Sequence, residues 1–302
     1  MNKIPVFATA VAAYRFAIAN YLRILGVSWV AMALIGAVAV WLFFPVMQTM
    51  LRAVQAHDPA AMTGLLGRFF LLELALFLLF AIPTVGVNKL VLGRPVTWPC
   101  FYVSLGGDYW RLVLAYVLIG VVGYIALVVI AVGLTLAAIA VAGLHGAPPA
   151  GKAAIAEQVR LAQFVILPFV YAAMAFLFVR FAVLLPPIVI GEKVLGLGRN
   201  WKLTRGNSWR ILGVILLIMV PLLLLGLAQV LFLLAVGGPD YFGLFGPEAT
   251  RLAVTRDMMQ FYADHAIAYA LVWLAAFPIA YGPLLASSSL CYRAIVGESG
   301  QI

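Results

Sequence analysis

Six long apolar stretches alternate with short polar segments along the 302 residues of the chain. Each stretch is longer than the roughly 20 residues that an α-helix needs to cross a hydrocarbon core of about 30 Å. This pattern predicts an all-α, polytopic integral membrane protein with six transmembrane helices. The predicted spans cover residues 24–47, 69–91, 111–142, 162–190, 211–236 and 264–291.

The composition agrees with this class and leaves little sequence for anything else. Hydrophobic residues make up 66% of the chain and charged residues 10%, whereas a soluble domain carries about 25% charged residues. Almost every residue belongs to a span or to a short connection. We therefore expect a single membrane domain over residues 1–302, without a separate catalytic domain.

Positive charge is concentrated on one side of the predicted membrane. The segments that precede, separate and follow the three pairs of spans carry twelve Lys or Arg residues and three acids, while the opposite connections carry six of each. Cytoplasmic segments are the ones enriched in Lys and Arg, so both termini are expected in the cytoplasm. The net charge of +9 then favours anionic lipid headgroups over nucleic acid as the partner.

Two short sequence motifs recur along the chain. An Asn or Asp followed three residues later by Arg lies at the start of each odd-numbered span, and a glycine follows each even-numbered span. The repetition suggests three units, each an interfacial segment followed by a transmembrane hairpin. The alternative is that the motifs only anchor the spans, because Asn or Asp can cap a helix and Arg can reach lipid phosphate. The first motif lies at 20–25, 108–113 and 207–212, the glycines are Gly93, Gly196 and Gly297, and the units cover 1–93, 94–196 and 197–297.

The most polar segment, residues 191–210, carries five cations and one acid. Its apolar residues share one helical face, so we expect cytoplasmic interfacial amphipathic helices near residues 191–205 and near residues 5–20. Asn207 is expected to cap the span that follows. The segment is either a site for anionic lipid or phosphate, or a basic loop that only sets the orientation. The candidate lipid- or anion-binding residues are Arg199, Lys202, Arg205, Arg210, Trp201 and Trp209.

Two ionisable residues fall inside the predicted spans. Arg180 lies towards the inner end of the fourth span, where it is either a buried functional group or a side chain that reaches the interface. Pro186 and Pro187 follow it and should kink or end the helix. Glu73 lies a few residues into the second span from the outer side, close to headgroup water. Because the two charges are separated by about a membrane thickness, we do not expect them to pair.

The sequence contains no arrangement of residues typical of an active site or a metal centre. Cys100 and Cys291 both fall on the predicted cytoplasmic side, where disulfides are rare, so we expect two unpaired thiols. The three histidines lie in or beside three different outer segments. We therefore expect that the protein is not an enzyme and has no catalytic residues, metal or cofactor.

Two stretches of the chain resemble a known family. They run from Arg180 to Pro186 and from Trp201 to Arg210. They resemble uncharacterised bacterial six-span inner-membrane proteins related to the membrane domain attached to some glycerophosphoryl diester phosphodiesterases. The resemblance implies a six-span fold in a bacterial inner membrane. It carries over no catalytic residues, because the phosphodiesterase domain has no counterpart in these 302 residues.

Three functions are compatible with these patterns. The leading hypothesis is a non-catalytic membrane protein that binds, or helps move, lipids or small amphiphiles at the inner leaflet. The second is a scaffold or assembly partner for another membrane protein, and the third is a small-solute transporter. A central lipid-lined cavity favours the first hypothesis. A tightly packed bundle with an exposed apolar groove favours the second, and a continuous hydrated path favours the third.

Overall fold

Every regular element that the structure describes is helical. The structure is a computed structural model that describes residues 2–56, 59–96, 100–103, 105–144, 168–235, 243 and 246–297. A π-helical turn, Ala39–Phe43, connects the helix that ends at Val38 to the helix that begins at Phe44 without a break. The helices are α1 (Val6–Ala19), α2 (Tyr21–Val38), α3 (Phe44–Ala56), α4 (Pro59–Val91), α5 (Gly107–Leu144), α6 (residues 168–181), α7 (Leu185–Gly191), α8 (Leu197–Thr204), α9 (Ser208–Ala235), α10 (Glu248–Asp264), α11 (Ala266–Ala280) and α12 (Gly282–Val296).

Six helical segments within these residues are long and apolar enough to cross a membrane. Each one overlaps a span predicted from the sequence, so the all-α, six-span fold class is confirmed. Because lipid solvates the outside of such a bundle, many large apolar side chains remain on its surface. The segments are Tyr21–Met50, Gly67–Val91, Gly107–Ile130, Pro168–Gly191, Ser208–Ala235 and Ala266–Val296.

Two of the six segments are interrupted, the fourth towards one end and the sixth at its middle. A turn at residues 182–184 separates α6 from α7, and Pro186 and Pro187 lie in the first turn of α7. Tyr281 separates α11 from α12, with Pro283 in the first turn of α12. Proline lacks an N–H group, which is not needed in the first turn of a helix. The break expected at Pro186 is therefore present, but it precedes the prolines, which start a new short helix.

The four segments that the charge pattern assigns to the cytoplasm meet at one end of the bundle. Lys89 forms an ion pair with Asp108 (3.0 Å). The Tyr292 hydroxyl donates to Glu192 (2.9 Å), across 100 residues of sequence. We call this end the basic end, and it is formed by residues 2–5, 89–96, 105–111, 191–210 and 292–297.

The chain before α1 is held at the basic end by Asn207. The Ile4 N–H donates to Asn207 Oδ1 (3.2 Å), and Asn207 Nδ2 donates to the Asn2 carbonyl (3.1 Å). Arg210 adds a third bond, from Nη1 to the Ile4 carbonyl (2.9 Å). The expectation that Asn207 caps α9 with its side chain is therefore wrong. The Asn207 amide instead pairs with the Ile4 N–H and the Asn2 carbonyl. These two backbone groups would have no partner if the side chain capped α9.

Helix α1 packs against α9 and α12 through a face of small residues, which lets the helix axes approach closely. The Tyr14 hydroxyl donates to the Ile218 carbonyl of α9 (2.8 Å). Burial raises the pKa of Tyr14, so the hydroxyl stays protonated and remains a donor. The helix expected near residues 5–20 is thus present, with one face covered by the bundle. The buried residues of that face are Thr9, Ala10, Ala13 and Ala17.

The largest apolar cluster fills the half of the bundle next to the basic end. It joins α1, α2, α4, α7, α9 and α12, and its fully buried members include Ile24, Val85, Leu184, Ile188 and Ile211. A second, smaller cluster lies between α3 and α4, around Val46, Ala53 and Leu65. Among the described residues, apolar packing is therefore extensive next to the basic end and limited to a small cluster between α3 and α4.

The three glycines that follow the even-numbered spans all have a left-handed backbone conformation, with φ values of +65° at Gly93, +72° at Gly196 and +93° at Gly297. Only glycine adopts this conformation without strain, so it commonly ends helices. Gly93 and Gly297 follow α4 and α12 closely, but Gly196 precedes α8. The three-unit repeat stays a prediction.

Replacing Gly196 with Ala is expected to destabilise the fold by about 2 kcal/mol, because the left-handed conformation penalises a Cβ atom. The new Cβ would also overlap Cγ2 of Ile188. Gly198→Ala is the matched control, since Gly198 lies in α8 with open space around its Cβ position. Unfolding curves in SDS measure both variants. Equal stability of the two would contradict the geometry of the turn into α8.

Candidate functional site

A cavity of about 920 Å³ lies among the spans and is partly open to the outside of the bundle, and we call it the central cavity. Helices α4, α5, α6, α9 and α12 supply most of its wall, and α2 and α7 complete it. The wall is almost entirely apolar, which suits an acyl chain or another hydrocarbon group. Its side chains include Phe77, Phe80, Ile119, Phe178, Met219 and Leu284.

The end of the central cavity nearest the basic end is polar, and we call its residues Thr84, Asn88, Ser287 and Ser288 the polar floor. Asn88 is fully buried. Its Oδ1 accepts hydrogen bonds from the hydroxyls of Ser288 (2.8 Å) and Ser289 (2.6 Å), and its Nδ2 donates to the Thr84 carbonyl (2.8 Å). These bonds join α4 to α12 and fix the orientation of the Asn88 amide.

Tyr116 keeps hydrogen-bonding capacity for a ligand, whereas the Asn88 amide does not. Asn88 is fully buried, so its side chain holds the polar floor together rather than meeting the ligand. The Tyr116 ring packs edge-on against Phe77, at 6.2 Å between centroids. Its hydroxyl lines the cavity without a hydrogen-bond partner in the described chain. None of the described lining residues is Asp, Glu, Lys, Arg or His, so the cavity suits an uncharged polar group.

Helix α9 forms one wall of the central cavity. It packs against α1 and α12, while Ile215 and Met219 face the cavity. On other faces it exposes apolar side chains such as Leu216 and Leu223. The cavity therefore lies between α9 on one side and α4 and α5 on the other.

Within the polar segment 191–210, the amphipathic helix covers Leu197–Thr204, a shorter range than the predicted 191–205. Gly196 turns the chain into α8, and residues 193–196 before it are not helical. Arg199 pairs with Glu192 (3.1 Å). The side chains of Lys202 and Arg205 are exposed and have no polar partner among the described residues.

The other predicted lipid-binding residues take different positions. Arg210 donates from Nη1 to the Ile4 carbonyl, so part of its guanidinium group is used by the chain before α1. Trp209 is 77% exposed, as expected for a side chain at headgroup level. Trp201 is partly covered by Arg180. The structure thus brings Arg199, Lys202 and Trp201 together on one short helix and separates Arg210 from them.

Arg180 is buried at the junction of α6 and α8. Its Cζ lies 3.9 Å from the centroid of the Trp201 ring, and Nη1 donates to Thr204 Oγ1 (3.2 Å). The Arg180 Nε and the side-chain amide of buried Asn200 have no hydrogen-bond partner in the described chain. Arg180 does not line the central cavity. Its contacts hold α8 against the bundle through a cation–π interaction.

The ion pairs of the described chain lie at the basic end, where Asp108 pairs with Lys89 and Arg111, and Glu192 pairs with Arg199. Glu73 is exposed on α4 and does not pair with Arg180. The described residues contain no group of three His, Cys, Asp or Glu side chains that could hold a metal ion. Cys100 is an exposed free thiol and Cys291 a buried one.

The structure adds residues that the sequence patterns do not single out. The serines 287–289 are recognisable as polar groups in a span, but their partner Asn88 is 200 residues away in sequence. Tyr116 looks like any aromatic residue in an apolar helix. In the sequence, Asn88 and Tyr116 are recognisable only as polar groups inside a long apolar stretch. Hydrogen bonds between helices explain such groups as well as a binding site does.

Comparisons with protein-family models, with curated proteins and with solved structures each find no match. The resemblance to bacterial six-span proteins therefore stays a prediction. The two stretches that carry it are in contact in the fold, because Arg180 of the first packs on Trp201 and Thr204 of the second.

Proposed function

We propose that this protein binds a lipid or another small amphiphile in the central cavity, without catalysing a reaction. The hydrocarbon part of the ligand lies along the apolar wall, and its polar end lies on the polar floor. The observation that carries the proposal is a cavity of about 920 Å³ with an apolar wall and a hydrogen-bonded polar end.

The polar floor, rather than the apolar wall, gives the site its selectivity. In a bilayer, lipid tails are as apolar as the wall, so transfer of a hydrocarbon chain into the cavity has little hydrophobic driving force. Packing contacts and hydrogen bonds must then distinguish the ligand from bulk lipid. Tyr116 offers a donor, and the Ser288 hydroxyl offers an acceptor. An uncharged head that both donates and accepts, such as a hydroxyl, matches this set.

Replacing Tyr116 with Phe is expected to lower the amount of retained amphiphile by about fivefold, because one hydrogen bond contributes roughly 1 kcal/mol. The ring and its contact with Phe77 remain. Tyr124→Phe is the matched control, since Tyr124 lies on the same helix and is 68% exposed. Mass spectrometry of lipid extracted from each purified variant measures the retention. If the two variants retain the same amount, the hydroxyl does not bind the ligand.

The proposal also includes location and orientation. The six apolar segments support a multi-pass membrane protein. The gathering of twelve cations at and near the basic end supports a cytoplasmic position for both termini. The resemblance to six-span bacterial proteins supports the inner membrane. In this orientation, Lys202 and Arg205 lie where anionic headgroups of the inner leaflet can reach them.

The native thiols test the orientation, because Cys100 is exposed next to the basic end and Cys291 is buried. A membrane-impermeant maleimide is expected to label Cys100 only after the cells are permeabilised. Arg52→Cys in a Cys100→Ser background provides the opposite control, since residue 52 is exposed on α3 and should react from outside. Labelling of Cys100 in intact cells would reverse the proposed orientation.

A further inference from the structure

A second cavity, of about 940 Å³, lies between α1, the end of α4 and α12, and we call it the α1 groove. It shares no lining residue with the central cavity. The two use different faces of α12, because Leu290 and Arg293 border the α1 groove while Ser287 and Ser288 border the central cavity. The α1 groove is therefore a separate site next to the basic end.

The α1 groove combines a long apolar wall with positive charge. Its lining on α1 runs from Phe7 to Asn20, a distance of about 20 Å at helical rise. The wall includes Val11 and Leu90, and Phe7 is 73% exposed. A hydrocarbon chain lying along α1 would cover this exposed surface.

Arg15 supplies the charge that the groove leaves available. Its side chain is exposed and has no polar partner in the described part of the chain. Arg293 borders the same groove and donates to the Val91 carbonyl (3.4 Å), so it offsets the negative end of the α4 dipole. None of the described lining residues is Asp or Glu. The potential in the groove is consequently positive.

We propose that the α1 groove binds an anionic phospholipid, with its headgroup at Arg15 and an acyl chain along α1. Charge complementarity selects this occupant over an apolar peptide helix, because a guanidinium binds phosphate oxygens through two parallel hydrogen bonds. The site lies beside the ends of α4 and α12, where headgroups of the adjacent leaflet are present. It is independent of the proposed ligand in the central cavity and stands if that ligand is disproved.

The test uses the full chain in nanodiscs of equimolar phosphatidylglycerol and phosphatidylcholine, followed by native mass spectrometry in detergent. Arg15→Gln is expected to lower the ratio of retained phosphatidylglycerol to phosphatidylcholine about fivefold, the effect of one cation near the headgroups. Arg23→Gln is the matched control, because Arg23 is exposed on α2 outside the groove, and it should leave the ratio unchanged. Ala8→Trp fills the exposed part of the groove without a change in charge and should lower retention of both lipids.

Three results would overturn the proposal. An equal loss in Arg15→Gln and Arg23→Gln would mean that surface charge alone attracts the lipid. A loss of the lipid preference in the triple variant R199Q/K202Q/R205Q, with the preference kept in Arg15→Gln, would move the site to α8. A photo-crosslinking residue at position 8 that captures a polypeptide instead of phospholipid would make the groove a protein interface.

Discussion

Replacing Gly120 with Trp is expected to lower the lipid retained by the purified protein at least tenfold. Gly120 lines the central cavity, and no atom lies within 4 Å of the position that a Cβ would take. The indole can therefore enter the cavity without displacing the backbone, and it occupies the space that the ligand needs. A tenfold loss corresponds to about 1.4 kcal/mol, which is modest for the overlap of a ligand with a large side chain.

Gly123→Trp is the control for this prediction. Gly123 lies on the same helix, also has open space around its Cβ position, and does not line the central cavity. Lipid per protein is quantified by mass spectrometry after detergent washes. Full retention in Gly120→Trp, or an equal loss in both variants, would mean that the retained lipid does not occupy the cavity.

Replacing Asn88 with Ala is expected to destabilise the bundle by about 2 kcal/mol. Asn88 makes three hydrogen bonds, to Ser288, Ser289 and the Thr84 carbonyl, and it joins α4 to α12. Single hydrogen bonds between membrane helices contribute roughly 0.6 kcal/mol and at most about 1.7 kcal/mol. The loss of Asn88 removes the shared partner of two buried hydroxyls, so its effect exceeds that of one bond.

Ser289→Ala separates the role of Asn88 from that of a single bond. It removes one donor to Asn88 and keeps the other, so it should destabilise by about 0.6 kcal/mol. SDS titration of both variants gives the two free energies of unfolding. A cost for Asn88→Ala no greater than that for Ser289→Ala would show that the network does not hold the two helices together.

The span pattern could be predicted from the sequence because it depends only on local properties. Length and apolar composition determine whether a helix can cross a bilayer, and no knowledge of its neighbours is needed. The basic end could be predicted for the same reason, since the positive-inside rule uses only the charges between spans. The position of α8 was harder to predict, because it depends on the turn at Gly196 and on the contact between Arg180 and Trp201.

The central cavity could not be predicted, because it depends on how helices distant in sequence are arranged. Ser288 reaches Asn88 across 200 residues, and Asn207 reaches Ile4 across 203. An apolar side chain in a membrane span looks the same in the sequence whether it faces lipid or a cavity. For this reason the sequence points to cations as lipid-binding residues, because their role can be recognised locally, and it does not point to Tyr116 or Asn88.

Two features of the described architecture lead us to propose amphiphile binding over the alternative functions. A small-solute transporter needs polar groups near the middle of the spans, whereas the described polar groups of the central cavity are the polar floor and Tyr116. A scaffold would be favoured by a tightly packed bundle with an exposed groove. The α1 groove is exposed, but the central cavity shows that the bundle is not packed throughout.

Native mass spectrometry of the wild-type protein, extracted directly from its own membrane, determines whether the central cavity holds a ligand. We expect one amphiphile with an uncharged head bound per chain, enriched over its share of the membrane lipid and absent from Gly120→Trp. Bound lipid in the same proportions as the membrane extract, and unchanged in Gly120→Trp, would contradict the claim that the central cavity is a binding site.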